Sequence, residues 1–253
     1  MRYDILADEK TSSKCDIEDF RKKLLEKIES NRSKFEDSKR NWVIKGFIGI
    51  EKDVYSVSID TKVVSKIIEL IIFPILDQFA KENNYKLITP KYQNHYPDAT
   101  FEHKVTGERI AVDIKTTYRD SATSTKCKGF TLGAYGGYFI DREGTKNITY
   151  PYSTYSHHLV LGVIYTQNEE ISEVKTYSVD EIDSIPSAIG NFIFLVQEKY
   201  KLATKRPGSG NTTNIGSIGD IDDLVNGRGP FANEGVEAFD KYWINYYHNR
   251  KGE

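Results

Sequence analysis

The chain has 253 residues, of which 38% are hydrophobic and 28% charged, with a formal net charge of −2. That composition supports a sizeable core and excludes a chain that is disordered throughout, and the near-neutral balance excludes a strongly basic polyanion binder, so any contact with nucleic acid must come from local patches. Cys15 and Cys127 form no metal-ligand spacing and fit a reducing cytoplasm, with one disulfide left open; the longest apolar run, 67–76, is broken by Glu69 and Pro74 and is too short to span a bilayer.

Residues 1–15 read as a polar lead-in with no apolar signal core. Asp16 is an N-cap candidate, and Ile17, Phe20, Leu24 and Ile28 then recur at helical spacing to about Arg32. This stripe suits packing on the body of the protein or on a second subunit. Residues 42–50 and 54–58 read as a strand pair joined at Glu51-Lys52-Asp53. Asp60 is a second N-cap candidate. The helix after it is strongly apolar, from Val63 through Leu70 to Phe79, with a narrow polar stripe of Lys62, Ser65, Lys66 and Glu69. Pro74 is expected to kink or split it. Taken alone, Glu69 reads as a surface acid; the sharper reading makes it a third carboxylate beside a metal site.

Tyr85 to Ile88 is a short strand that leads into a hairpin spanning Gln93 to Lys115. Residues 98–102 alternate polar and apolar, as a half-buried strand does. Lys104 to Glu108 is the turn, with Gly107 able to take positive φ. Beyond it, Ile110, Val112 and Ile114 share one face, and Arg109, Ala111, Asp113 and Lys115 share the other. Pairing of the two strands brings Asp98 near Asp113 and Lys115. Two carboxylates on adjacent strands suit Mg²⁺, a hard cation that takes oxygen ligands, and a neighbouring ammonium can stabilise negative charge on phosphorus. Pro97-Asp98, fourteen residues, then Asp113-x-Lys115 is the spacing of the PD-(D/E)xK nucleases. The bland alternative is a solvated strand face that carries Asp and Lys.

After Thr116 and Thr117 comes a polar loop to Lys128. Phe130 to Ile140 reads as a strand weakened by Gly133, Gly136 and Gly137, followed by a turn at Lys146-Asn147. Residues 157–166 suit a buried helix or strand. His157 and His158 are adjacent, so their side chains diverge, and a structural role outweighs metal binding. Residues 174–177 and 192–196 are further short strands. The run from Lys199 to Arg206 is the main basic patch, and it enters the loop Pro207 to Asn214. Such a loop is either a flexible connector or a groove-probing element, whose glycines let the backbone approach base edges and whose Asn can bond adenine. Residues 234–249 read as a helix with Val236, Phe239, Trp243 and Tyr246 on one face. The chain contains no repeat, P-loop, Rossmann fingerprint or nucleophilic triad spacing.

Several runs resemble the EcoRV-type restriction endonucleases, a branch of the PD-(D/E)xK nucleases. They are Ser58 to Val63, Gln93 to Asp98, Asp113 to Tyr118, Phe130 to Gly133, Thr145 to Ile148 and Gly208 to Ser217, in that order along residues 58–218. The resemblance implies an α/β fold with a mixed five-stranded central sheet flanked by helices, and a two-fold homodimer that clasps double-stranded DNA. It implies Asp98 and Asp113 as Mg²⁺ ligands, Lys115 as the catalytic lysine and Glu69 as an auxiliary acid at the metal. Gly208, Ser209, Gly210, Asn211, Thr212 and Thr213 would form the major-groove recognition loop, and Gln93 and Asn94 the minor-groove loop. Lys62, Ser65, Thr116, Thr117, Thr131 and Lys146 would be further DNA contacts. The implied target is GATATC, cut bluntly at its centre. Tyr135-Gly136-Gly137-Tyr138 departs from a more hydroxyl-rich family segment.

These readings describe a single endonuclease domain: residues 1–57 as an N-terminal helix and strands suited to dimerisation, 58–218 as the catalytic and recognition core, and 219–253 as a helical tail. The expected activity is a Mg²⁺-dependent type II restriction endonuclease in the cytoplasm. The alternatives are a junction or repair nuclease of the same superfamily, which lacks a reading loop, and a DNA-binding protein, which has no need of the three charged residues together.

Overall fold

A computed structural model describes residues 16–208 and 213–251. Asp16 caps α1 (Ile17–Ser30), its side chain accepting hydrogen bonds from the backbone N–H groups of Glu18 at 3.0 Å and Asp19 at 3.2 Å. Phe20, Leu24 and Ile28 are buried against the body, which settles where the first helix packs. The strand pair that follows is β1 (Gly46–Ile48) and β2 (Asp53–Ser56), antiparallel. It starts later than predicted because Trp42 is instead buried, its backbone N–H donating to the Ile189 carbonyl at 3.1 Å. Asp60 caps α2 (Thr61–Glu82). That helix is not split: it runs through Pro74, which is exposed together with Leu70, so water can reach the Leu70 carbonyl that the proline leaves without an N–H partner. Val63 and Leu70, seven residues apart, lie on the solvent side beside the polar stripe.

The remaining elements are β3 (Tyr85–Ile88), β4 (Ala99–His103), β5 (Arg109–Arg119), β6 (Thr131–Ala134), β7 (Tyr155–Gln167), β8 (Thr176–Ser178), β9 (Ile189–Glu198), α3 (Lys199–Leu202), β10 (Ala203–Pro207), β11 (Asn214–Ser217), α4 (Ile221–Asn226) and α5 (Gly235–Lys251). The central sheet has five strands in the order β3-β4-β5-β7-β9. Only the β5–β7 pair is parallel, so the sheet is mixed, as the resemblance implies. Two three-stranded sheets flank it, β1-β2-β8 and β10-β11-β6.

Each face of the central sheet covers its own core. Ile110, Val112 and Ile114 of β5 pack towards α1 and α2, while Ala111 packs into a second core with Phe139, Phe239 and Trp243 under β6 and α5. The strand pair is therefore buried on both sides rather than half-exposed. Thr100, a polar position expected to face solvent, is fully buried and shares a 3.0 Å hydrogen bond with the Tyr155 hydroxyl. The strand predicted over residues 130–140 ends at Ala134, because Gly137 takes a left-handed φ of 55° and opens a 3₁₀ turn. In α5, Phe239 and Trp243 are buried as expected, but Val236, in the first turn of the helix, is exposed. Among the described residues, no helix is long and apolar enough to cross a membrane.

Candidate active site

The antiparallel register of β4 and β5 sets Ala99 opposite Val112. Asp98, one residue before β4, therefore reaches the β5 backbone, and its Oδ2 accepts the Ile114 N–H at 2.7 Å. Asp113 and Lys115 stand one pleat apart on the same face, and Lys115 Nζ lies 2.7 Å from Asp113 Oδ2. Asp113 is only 6% exposed, so the solvated-face alternative fails. The bond to the Ile114 N–H holds the Asp98 carboxyl next to Asp113, close enough for the two charges to act on each other. Burial, reinforced by the Asp113 charge, pushes Asp98 up to about 7 against the opposing pull of Lys115. Burial works against the Lys115 ammonium, but Asp113, Asp98 and Glu69 outweigh it and raise its pKa.

Glu69 projects from α2 into a cleft of about 490 Å³ that Gln93 and Asp98 also line. Its carboxylate is drawn to Lys66 at 2.6 Å. Among the described residues, no group of three acidic, His or Cys side chains is gathered closely enough to hold a metal. The acidic centre is thus a pair with Glu69 across the cleft.

Gln93 and Asn94 are exposed, and Asn94 Nδ2 lies 3.5 Å from Asn147 Oδ1, which puts the exposed Lys146 turn beside them. Thr116 is half-buried and Thr117 buried, both on β5 beyond Asp113 and Lys115. Thr131 is half-buried on β6. Lys62 is exposed at the start of α2, and Ser65 Oγ is turned back onto the Lys62 carbonyl at 3.1 Å. At the base of the long loop, the Gly208 N–H donates to the Asn214 carbonyl at 2.7 Å and the Tyr135 N–H to the Thr213 carbonyl at 2.7 Å. Ser209, Gly210, Asn211 and Thr212 lie outside the described residues.

One expectation changes. The run from Lys199 to Arg206 is not one basic patch, because the short α3 and then β10 turn its cations in different directions. Lys199 is buried, Lys201 pairs with Glu198 at 3.0 Å and Glu18 at 3.2 Å, and Lys205 pairs with Glu234 at 2.9 Å. The tyrosines of the divergent segment belong to the second core: Tyr135 stacks on Trp243 and Tyr138 on Tyr96. The adjacent histidines do diverge. His157 meets Glu198 at 3.2 Å, whereas His158 Nδ1 meets the Tyr96 hydroxyl at 2.8 Å. Sequence reasoning missed the cluster of Tyr96, His158 and Lys199 behind the carboxylates; no local pattern separates that lysine from its charged neighbours.

The family described as "Restriction endonuclease EcoRV" matches residues 38–253. The chain is 40% identical over 213 residues to the type II restriction enzyme EcoRV of Escherichia coli, a match that covers 83% of this chain and 84% of that protein. A solved bacterial homing endonuclease aligns at 16% identity and a TM-score of 0.23 over 55% of this chain and 77% of its own, too distant a likeness to carry an argument. With most of the chain matched on both counts, the protein belongs to the EcoRV family of type II restriction endonucleases.

Proposed function

We propose that the chain, folded as one endonuclease domain, acts as a cytoplasmic Mg²⁺-dependent homodimer that cuts both strands of duplex DNA bluntly at the centre of GATATC. The observation that carries this reading is the apposition of Asp98, Asp113 and Lys115 beside an open cleft. The donor set fits a hard divalent cation: two neighbouring carboxylates, one with a strongly raised pKa, repel one another and together offer oxygen ligands only. Asp98 and Asp113 would hold the ion, with Glu69 on the far side of the cleft as an auxiliary acid. When bound, Mg²⁺ polarises a phosphoryl oxygen and helps to neutralise charge in the transition state.

The chain's own groups do the rest. Lys115 places a positive charge beside the attacked phosphate, where it stabilises the negative charge that develops. A water adds to phosphorus as the bond to the 3′ oxygen breaks; the water loses a proton and the 3′ oxygen gains one. The products are a 5′-phosphate and a 3′-hydroxyl. Gln93, which lines the cleft, and Asn94, with Lys146 beside it, would meet the DNA from the minor groove. The loop from Gly208 to Thr213, tied at its base to β6 and β11, would read the major groove from each half-site. Lys62, Ser65, Thr116, Thr117 and Thr131 would support the backbone. The apolar residues left exposed on and around the small sheet, Phe47, Ile48, Ile50 and Tyr55, support a two-fold contact there. The test is digestion of a plasmid that carries a single GATATC. Linear product in Mg²⁺ and none in EDTA is expected; structure-dependent nicking or no cleavage removes the reading.

A further inference from the structure

A buried lysine shares a face of the central sheet with the carboxylate pair. Register places Asp113 beside Val160 and Val160 beside Gln197. Residues side by side in a sheet point the same way, so Asp113 shares its face with Val160 of the second core, and Lys199, which follows β9 at the first position of α3, sends its ammonium into that same core among Tyr96, Phe139 and Tyr152. Lys199 is 2% exposed, and its Nζ has no hydrogen-bond partner among the described residues. Three rings enclose the ammonium, with centroids at 5.3 Å for Tyr96, 5.7 Å for Phe139 and 5.9 Å for Tyr152. The cage adjoins the site, since Tyr96 lies two residues before Asp98 and is fixed by its hydroxyl to His158.

An ammonium in this position is costly. Rings recover part of the lost hydration, but an apolar side chain of similar volume is commonly neutral or stabilising at such a position. The surrounding charges show what the lysine offsets. Glu69 is paired with Lys66, and Arg142 with Asp240 at 2.8 Å. A cation held by both carboxylates needs both ionised, and Asp98 and Asp113 then carry two negative charges, of which Lys115 answers one. Lys199 answers the second. Burial draws Lys199 down to about 8 while Asp113 pulls it the other way, so it remains mainly charged at pH 7 and feels that carboxylate.

We propose that Lys199 is a positioning residue for the Asp98–Asp113 pair, a fixed positive charge in a ring cage that limits how strongly the pair attracts a divalent cation in the absence of DNA. The inference rests on the nuclease reading of that pair. A centre held near neutrality gains most of its pull on a cation when the substrate phosphate adds its own negative charge.

The experiment measures Mn²⁺ binding to the full-length protein without DNA at pH 7, by electron paramagnetic resonance of the free ion. Lys199→Met keeps the reach of the side chain and removes the charge. It should melt no lower than the parent and bind Mn²⁺ roughly threefold to tenfold more tightly. Lys199→Arg retains the charge and should stay within about twofold of the parent. A purely structural lysine would leave the Mn²⁺ affinity of a folded methionine variant unchanged, and that result overturns the proposal, as does an arginine variant that shifts as far as methionine. Lys199→Gln supplies the same reading should the methionine variant not fold. Asp113→Ala separates the two levels. If Mn²⁺ binding survives it, the pair is not the cation site and the nuclease reading falls together with the inference. If Asp113→Ala abolishes binding but Lys199→Met changes nothing, only the role of Lys199 is overturned.

Discussion

Asp113 and Lys115 owe their contact to strand period, and Asp98 owes its place to hairpin register. Those are the parts of the site that a sequence carries openly: alternation fixes which side chains share a face, and one turn fixes which strands pair. Asp113→Ala should lower cleavage by more than about a hundredfold while the protein stays folded, because it removes one of two repelling carboxylates. Lys115→Ala should retain DNA binding and lose turnover. Gel-shift and single-turnover assays on the same preparations check both, and an Asp113→Ala enzyme that cuts within about tenfold of the parent contradicts the assignment. Lys199 was not legible in the same way. Its neighbours in sequence are charged and paired at the surface, and only the turn into α3 drives this one ammonium inside.

At the scale of elements, the caps and periodicities of α1 and α2 were readable because each helix begins at an aspartate and carries one long apolar stripe. Other signals misled. Pro74 sits where solvent tolerates it, and glycines end β6 early. The burial of Thr100 depends on what covers β4, which no local pattern reports. Packing of α1 gives a direct test. Phe20 meets Phe79, Tyr85 and Phe101 edge-on at centroid distances of 5.3, 5.2 and 5.4 Å. Phe20→Ala should cost about 3–5 kcal/mol in urea unfolding, as for other buried aromatics. The junction of β9 and α3 gives a pH test. Burial favours the neutral Glu198 carboxyl, but His157, Lys201 and Tyr200 outweigh it and hold the group at about 2, below its ordinary 4.5. A depressed folded-state value means that the stabilisation is complete above about pH 4.5 and is lost as pH falls towards 2, with a contribution on the order of 3 kcal/mol. Glu198→Gln should flatten stability against pH in that window, and an unchanged slope would show that the cluster contributes nothing.

The whole molecule divides its work between two cores. The face towards α1 and α2 anchors the sheet, and the face towards β6 and α5 holds the charged centre and its aromatic surround. Two-fold assembly was expected of the N-terminal region, and within it α1 is committed to the core, which leaves the small sheet as the exposed apolar surface. Replacing Phe47 and Ile48 together with Asp should turn a sedimenting dimer into a monomer with its melting temperature nearly unchanged; a double variant that still sediments as a dimer moves the interface elsewhere. The central claim is that the Asp98–Asp113–Lys115 constellation serves a site-specific, symmetric endonuclease. Run-off sequencing of both strands from a Mg²⁺ digest tests it most directly. Both strands should end between the central T and A of GATATC. Staggered ends, or ends scattered over unrelated sequences, would contradict the account.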